Sequence, residues 1–308
     1  MSLWSSLTSP VLADQQGGQR PVAYLENGVG GMQEAMSGAA VGVRGDVGSG
    51  FWNPAGLTGL AGWQLEDQYS LLSQGQVLNY FAAANQYRQR FFYGISWVAY
   101  SAGGDLEARK GPTLDPDNLF SDLEMTFVGS FAFRLSPQYS LGFNVKVFTE
   151  SLASFSAFGV GEDLGMQFRV DKDTTFGFLV GDPYSVLNYS NNSSSIFPLV
   201  LKAGVASRQE KWNTRINFDL EWSSDLGLRP RLGAEWAALD SLILRGGCWA
   251  GNLTAGAPGG SAVVYFTGGF GLILPMGGDQ LEFDYSLLQD RIQPGALLHQ
   301  VSLVSRFL

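Results

Sequence analysis

The sequence predicts an all-β protein: a transmembrane antiparallel β-barrel of about fourteen strands with a short, partly helical N-terminal plug. Three observations predict it. First, the chain has 308 residues, of which 45% are hydrophobic and only 15% charged. Soluble domains carry about a quarter charged residues, yet no stretch here approaches the roughly 20 apolar residues of a membrane-crossing helix. Second, from residue 63 onward apolar residues recur at every second position, the period of a strand rather than a helix. Third, the connections are short after even-numbered strands and long or variable after odd-numbered ones. That is the asymmetry of a barrel whose rims face different compartments. A soluble sandwich fits the composition but has no reason to keep this parity along the whole chain.

Composition also narrows the partners and the chemistry. The net charge is −9, and no basic stripe points to nucleic acid. Cys248 is the single cysteine, which excludes an internal disulfide or a cysteine metal cluster. The stretch "MSLWSSLTSPVLADQQ" has a small-residue cleavage site after Ala13 but lacks a positive n-region. It reads as the remainder of a signal sequence over residues 1–13, or as an N-terminal segment of another kind.

Residues 1–62 contain no convincing strand, and 63–308 form the expected barrel. The stretch "GVGGMQEAMSGAAVGVRGDVGSGFWNPAGLTGL" is too apolar and too rich in small residues for a disordered tail. Beside a barrel it is either a cap on one rim or a plug packed in the lumen. Within it, Asn53 is a strong helix cap and Pro54 suits a first helical position. Asn53, Pro54 and Ala55 therefore promise one helical turn, which Gly56 and Gly59 end, at the point where plug gives way to barrel.

Strands are expected near 63–72, 77–87, 91–101, 123–135, 139–150, 158–170, 174–182, 197–208, 213–222, 228–238, 241–250, 262–274, 280–288 and 298–308. "TRINFDLEW" is the clearest, with Arg215, Asn217, Asp219 and Glu221 alternating against Ile216, Phe218, Leu220 and Trp222. "QLEFDYSL" sets Glu282 and Asp284 opposite Leu281, Phe283 and Tyr285; "LRPRLGAEW" sets Arg229, Arg231 and Glu235 opposite Leu228, Leu232 and Trp236. The segments at 77–87 and 262–274 alternate poorly. Trp63, Tyr87, Trp212, Trp222 and Trp236 lie near strand ends, where interfacial aromatic girdles form. An even strand count puts both termini on the short-turn, periplasmic side. In the last stretch, "HQVSLVSRFL", Val301, Leu303 and Phe307 share one face close to the chain end, as in the terminal strand by which outer-membrane barrels are recognised for insertion.

Gly30, Gly31 and Met32, the small residues after them, Asp46 and the run Trp52–Gly56 ahead of about fourteen strands resemble the FadL superfamily of outer-membrane barrels. "GGMQEAMSGAAVGV…D…WNPAGL" looks closest to its PorV/PorQ-type branch. FadL-like members carry hydrophobic molecules across the outer membrane through a plugged barrel. PorV-like members are non-enzymatic accessory barrels of a protein-secretion system and bind partners at the cell surface. The longest connection, 102–122, carries Asp105, Glu107, Arg109, Lys110, Asp115 and Asp117, which is polar for a capture groove. That favours the accessory or anchoring role, with a protein partner on loops 102–122 and 183–196 first and 251–261 second. The alternative is FadL-like transport of a small hydrophobic molecule, which calls for an apolar lumen pocket and a lateral opening, expected beside the Gly-rich strand 262–274.

No catalytic or cofactor set is legible. His299 is the single histidine and falls in the register of Phe307, on the expected lipid face. A general base or nucleophile pair needs a partner there, and one histidine and one distant cysteine do not make a metal site. The expected inner wall carries both signs: Glu124, Arg134, Lys146, Arg169, Lys202, Arg215, Asp219, Glu221, Arg229, Arg231, Glu235, Arg245, Glu282 and Asp284. A selective pore would concentrate one sign at a constriction. Mixed signs suit ion pairs that fill the lumen and tie plug to wall, with Arg215, Arg229 and Arg231 clustering on Asp219 and Glu221.

Overall fold

The computed structural model describes residues 20–108, 118–152, 155–251, 263–290 and 295–307. The signal remainder expected over 1–13 lies outside them, as does 252–261 of the third loop. Fourteen strands close into an antiparallel barrel, because the first pairs with the last (Trp63↔Phe307 to Leu71↔His299) and the fifth with the sixth. They are β1 (Trp63–Leu71), β2 (Val77–Arg88), β3 (Phe91–Ala108), β4 (Asn118–Arg134), β5 (Tyr139–Leu152), β6 (Phe155–Arg169) and β7 (Thr174–Gly181). After a short outer hairpin, β8 (Val186–Tyr189) and β9 (Ser194–Ile196), come β10 (Val200–Gln209), β11 (Thr214–Ser223), β12 (Gly227–Leu239) and β13 (Leu242–Gly251). The barrel ends with β14 (Val263–Met276), β15 (Asp279–Gln289) and β16 (Leu297–Phe307).

Alternation explains both faces. Phe127, Phe131, Phe133, Phe176, Phe178, Ile216, Phe218, Leu220, Val301, Leu303 and Phe307 point outward and are exposed, while Asn217, Asp219, Glu221, Glu282, Asp284, Gln300 and Ser302 point inward and are buried. An apolar outside, a polar inside and no sheet edge left unpaired is the solution hydrocarbon imposes on a β-protein. His299 points outward, its Nδ1 2.7 Å from the Tyr285 hydroxyl.

Two of the expected outer loops are different objects. The stretch 102–122 is largely strand, since β3 runs on to Ala108 and β4 begins at Asn118; residues 109–117 lie outside the described set. The stretch 183–196 contains the β8–β9 hairpin, which continues the wall upward because β8 pairs with β6 (Ala157↔Tyr189 to Val160↔Val186). Polar composition hid both, because strands that rise beyond the hydrocarbon no longer need an apolar face.

Residues 20–62 lie within the barrel as two short helices, α1 (Gly31–Ala35) and α2 (Ser49–Trp52), and two 3-10 turns, Ala23–Asn27 and Pro54–Gly59. Asn53 caps the second turn: its Oδ1 accepts from the Ala55 N–H at 3.2 Å. Its Nδ2 donates to the Val41 carbonyl at 2.9 Å, tying two plug segments together. Gly59 closes this turn, as expected, but Gly56 sits inside it. Gly56 is small for a different reason: a Cβ there would stand 2.5 Å from the Val43 carbonyl oxygen.

Candidate functional site: a plugged lumen and its cavity

The plug is held by side chains that reach inward from the wall to its backbone. Short plug helices leave many N–H and C=O groups without helical partners, and a buried backbone group must find one. From β1, Gln64 accepts from Val47 N–H at 3.1 Å and donates to the Gly45 carbonyl at 3.1 Å, while Glu66 and Gln68 accept from Gly31 and Gly30. From β11, one carboxylate oxygen of Asp219 accepts from Ala40 at 2.7 Å and Val41 at 2.9 Å, and Asn217 donates to the Ala39 carbonyl at 2.7 Å. Gln167 on β6 donates to Val43 at 2.7 Å, and Arg231 on β12 donates to the Ser37 carbonyl at 2.9 Å. Within the plug, Asp46 accepts from Gln33 at 2.6 Å and Gly48 N–H at 2.9 Å. Trp52 donates to Val29 at 2.9 Å, and the Met32 sulfur lies 3.4 Å from an Arg215 nitrogen.

Arg215, Arg229 and Arg231, expected from sequence to share one cluster, fall into two networks. Glu221 binds Arg229, Arg231 and Lys202. Arg215 instead pairs with Glu235, its direct cross-strand neighbour, and Glu235 bonds Arg245 at 2.8 Å. Arg245 also binds Glu282 at 2.6 Å and Asp284, and Arg306 joins Glu282 at 2.6 Å. Asp219 faces Gly204 across the ladder, where no side chain fills the space, so its carboxylate turns over that glycine to the plug. The signal sequence reading missed was Gln64, Glu66 and Gln68, a polar run on every second residue of β1.

Glu26 carries one plug-to-wall link, to Arg229. Burial pushes its carboxyl up, but the guanidiniums of Arg229 and Arg20 outweigh that and hold it down at about 2. A depressed carboxylate contributes stability that is complete above its unfolded value and lost as pH falls through its folded one. The hold through Glu26 is therefore expected to be constant from neutral pH to about 4.5 and to fade between 4.5 and 2. Limited proteolysis of the plug across that range checks this, with the acid step reduced in Glu26→Gln.

Between plug and wall lies a cavity of about 120 Å³. Val22, Leu25, Phe51 and Trp52 line it from the plug, and Val128, Leu179, Phe197 and Val200 from the wall side. Its polar lining is paired: Lys146 with Asp163 at 2.7 Å and with Asp182, and Lys202 with Glu221 at 3.1 Å. The cavity is thus mixed rather than purely apolar.

The wall beside this cavity is interrupted. β7 pairs with β10 up to Gly181↔Val200, and pairing resumes where Phe197 N–H donates to the Ser185 carbonyl at 3.1 Å. Between these points three residues, Asp182–Tyr184, oppose two, Pro198 and Leu199. Pro183 and Pro198 have no N–H to give a ladder, and Asp182 takes a left-handed φ of 55°. β14, where an opening was expected, is paired on both edges over Thr267–Leu272. Its glycines serve packing instead; a Cβ on Gly269 would stand 2.9 Å from the plug's Ala35 side chain.

Fold and site together define a closed, plugged, lipid-facing barrel. No protein-family model and no curated protein matches the sequence. Solved structures share the fold. The CymD monoaromatic hydrocarbon channel superposes with a TM-score of 0.68 at 14% identity, over 91% of this chain and 98% of that one. The toluene transporter TbuX of Ralstonia pickettii gives 0.62 at 14% identity, over 92% and 100%. A FadL homologue of Pseudomonas aeruginosa gives 0.63 at 12% identity, over 91% and 98%. The fold is therefore FadL-like. The secretion-accessory branch suggested by residues 28–60 gains no support from these likenesses, two of which are named for hydrocarbon cargoes.

Proposed function

We propose that this chain is an outer-membrane channel for small hydrophobic molecules of about single-ring size, with both termini periplasmic. The observation that carries this reading is the coincidence of the 120 Å³ cavity with the interruption of the ladder between β7 and β10. A cavity of ~150 Å³ lined by apolar side chains accepts benzene, so the volume suits one ring. Paired charges around it expose no bare ion to a hydrocarbon, and Phe51, Trp52, Leu179 and Phe197 supply apolar contact. A molecule leaving sideways would cross the wall at Asp182–Tyr184 and Pro198–Leu199, where no ladder bond need break. The FadL-like fold shared with hydrocarbon channels supports the same reading.

Uptake of radiolabelled toluene into liposomes that contain the purified chain tests it. Flux above that of empty liposomes is expected, and Leu179→Trp, which fills the cavity, should cut that flux about tenfold while the barrel remains folded. Flux equal to empty liposomes sinks the reading.

A further inference from the structure

Among the strand residues whose side chains are described, and away from strand ends, charged side chains point into the lumen with two exceptions, Asp67 and Glu162. Glu162 stands level with the end of β7, where its carbonyl accepts from the Asp182 N–H. Asp67 is in a different position. It lies four residues from each end of β1, exposed on the outward face between Leu65 and Tyr69. Its cross-strand neighbours are Phe81 on β2 and Leu303 on β16, both exposed to hydrocarbon. Among the described residues its carboxylate has no hydrogen bond or ion pair. Asn79, diagonal to it and on the same outward face, adds a second polar group. An ionisable side chain at mid-depth is costly and marks a site where a partner compensates it.

We propose that the outward face of β1 and β2 is the contact surface for a different membrane-spanning protein, one that brings a lysine or arginine to the depth of Asp67. A second copy of this chain does not fit. The axis of a membrane dimer runs along the bilayer normal, so each residue meets the partner copy at its own depth. The described outward faces carry no Lys or Arg at that depth, and Asp67 would meet apolar groups or another carboxylate. Anionic lipid headgroups are excluded by charge, and they sit at the interface rather than at mid-depth. This inference stands apart from the transport reading, which needs only the isolated barrel.

The test uses the full chain in its native membrane, with a photo-crosslinking amino acid at Phe81 and, as control, at Phe218 on β11. One heteromeric adduct of discrete mass is expected from position 81 and none from 218. Its crosslinked peptide should carry Lys or Arg within a membrane-spanning segment. The yield should fall at least tenfold in Asp67→Lys and several-fold in Asp67→Asn, which keeps the shape and cannot fail to fold through a buried cation. Heat-modifiable migration of the barrel on gels confirms folding in each variant. An adduct indifferent to both substitutions, an adduct of two copies of this chain, or lipid adducts alone would overturn the proposal.

Discussion

Replacing Arg245 by methionine is expected to lower the stability of the barrel by about 3–5 kcal/mol. The guanidinium is almost wholly buried and reaches three carboxylates on two other strands: Glu235 at 2.8 Å, Glu282 at 2.6 Å, and Asp284. Methionine retains much of the volume, so the loss is electrostatic: buried carboxylates are left short of a counter-charge, the costly half of breaking a buried pair. Arg306 still serves Glu282 and Arg215 still serves Glu235, so Asp284 is the group most exposed to the change. Urea unfolding of the refolded barrel, followed by tryptophan fluorescence, gives the number. Adding Asp284→Asn to Arg245→Met should recover part of the loss, because neighbours in one network are not additive. A single variant within about 0.5 kcal/mol of wild type would mean that the network does not hold the wall.

Substitution at Gly177 is expected to push the plug off the wall. A Cβ there would stand 2.0 Å from the Val41 carbonyl oxygen and 2.6 Å from its carbon. Both are backbone atoms, so no side chain can swing away. Gly142 makes the same kind of contact two strands away on β5, with a Cβ 2.2 Å from the Ala55 nitrogen. Gly177→Val and Gly142→Val should therefore displace the plug and raise ion conductance in planar bilayers from a closed baseline to an open pore. Gly246→Ala is the control, since its Cβ would face outward with its nearest neighbour 3.8 Å away. It should conduct like wild type. If the valine variants remain closed and unfold like wild type, the close approach of plug and wall is not what seals the lumen.

Much of the barrel was legible because membrane strands announce themselves by chemistry. Each outward residue must suit hydrocarbon, so "TRINFDLEW" and "QLEFDYSL" reveal period and facing directly, and β11 and β15 lie within two residues of their expected bounds. β14 was harder to read, because Gly268, Gly269 and Gly271 blur its alternation. Gly269 and Gly271 face inward, where a Cβ would strike the plug's Ala35 side chain or the Asp284 carboxylate. The cap at Asn53 was legible for a local reason, being made within two residues.

The partners of the lumen charges were not legible. Arg215 binds Glu235 and not Glu221 because register sets the two opposite each other, and register is a property of two strands together. The network that meets at Glu282 needs β13, β14, β15 and β16 in that order in the wall. The cavity is a further step removed. It exists only because residues 20–26 and 51–52 stop short of the wall at β4, β7 and β10, segments well over 70 positions from the plug in the chain.

The sequence by itself determined that this chain is an antiparallel membrane barrel of about fourteen strands, which faces of those strands meet lipid, and where the plug ends in a capped turn. These follow from the solvent each residue must face and from hydrogen bonds between near neighbours. Only the tertiary structure decided how the charges pair, where the ladder between β7 and β10 breaks, that a cavity lies behind that break, and that the Asp67 side chain has no partner among the described residues. Each of those depends on which distant strands become neighbours and in what register, and closure of the barrel settles that for all strands at once.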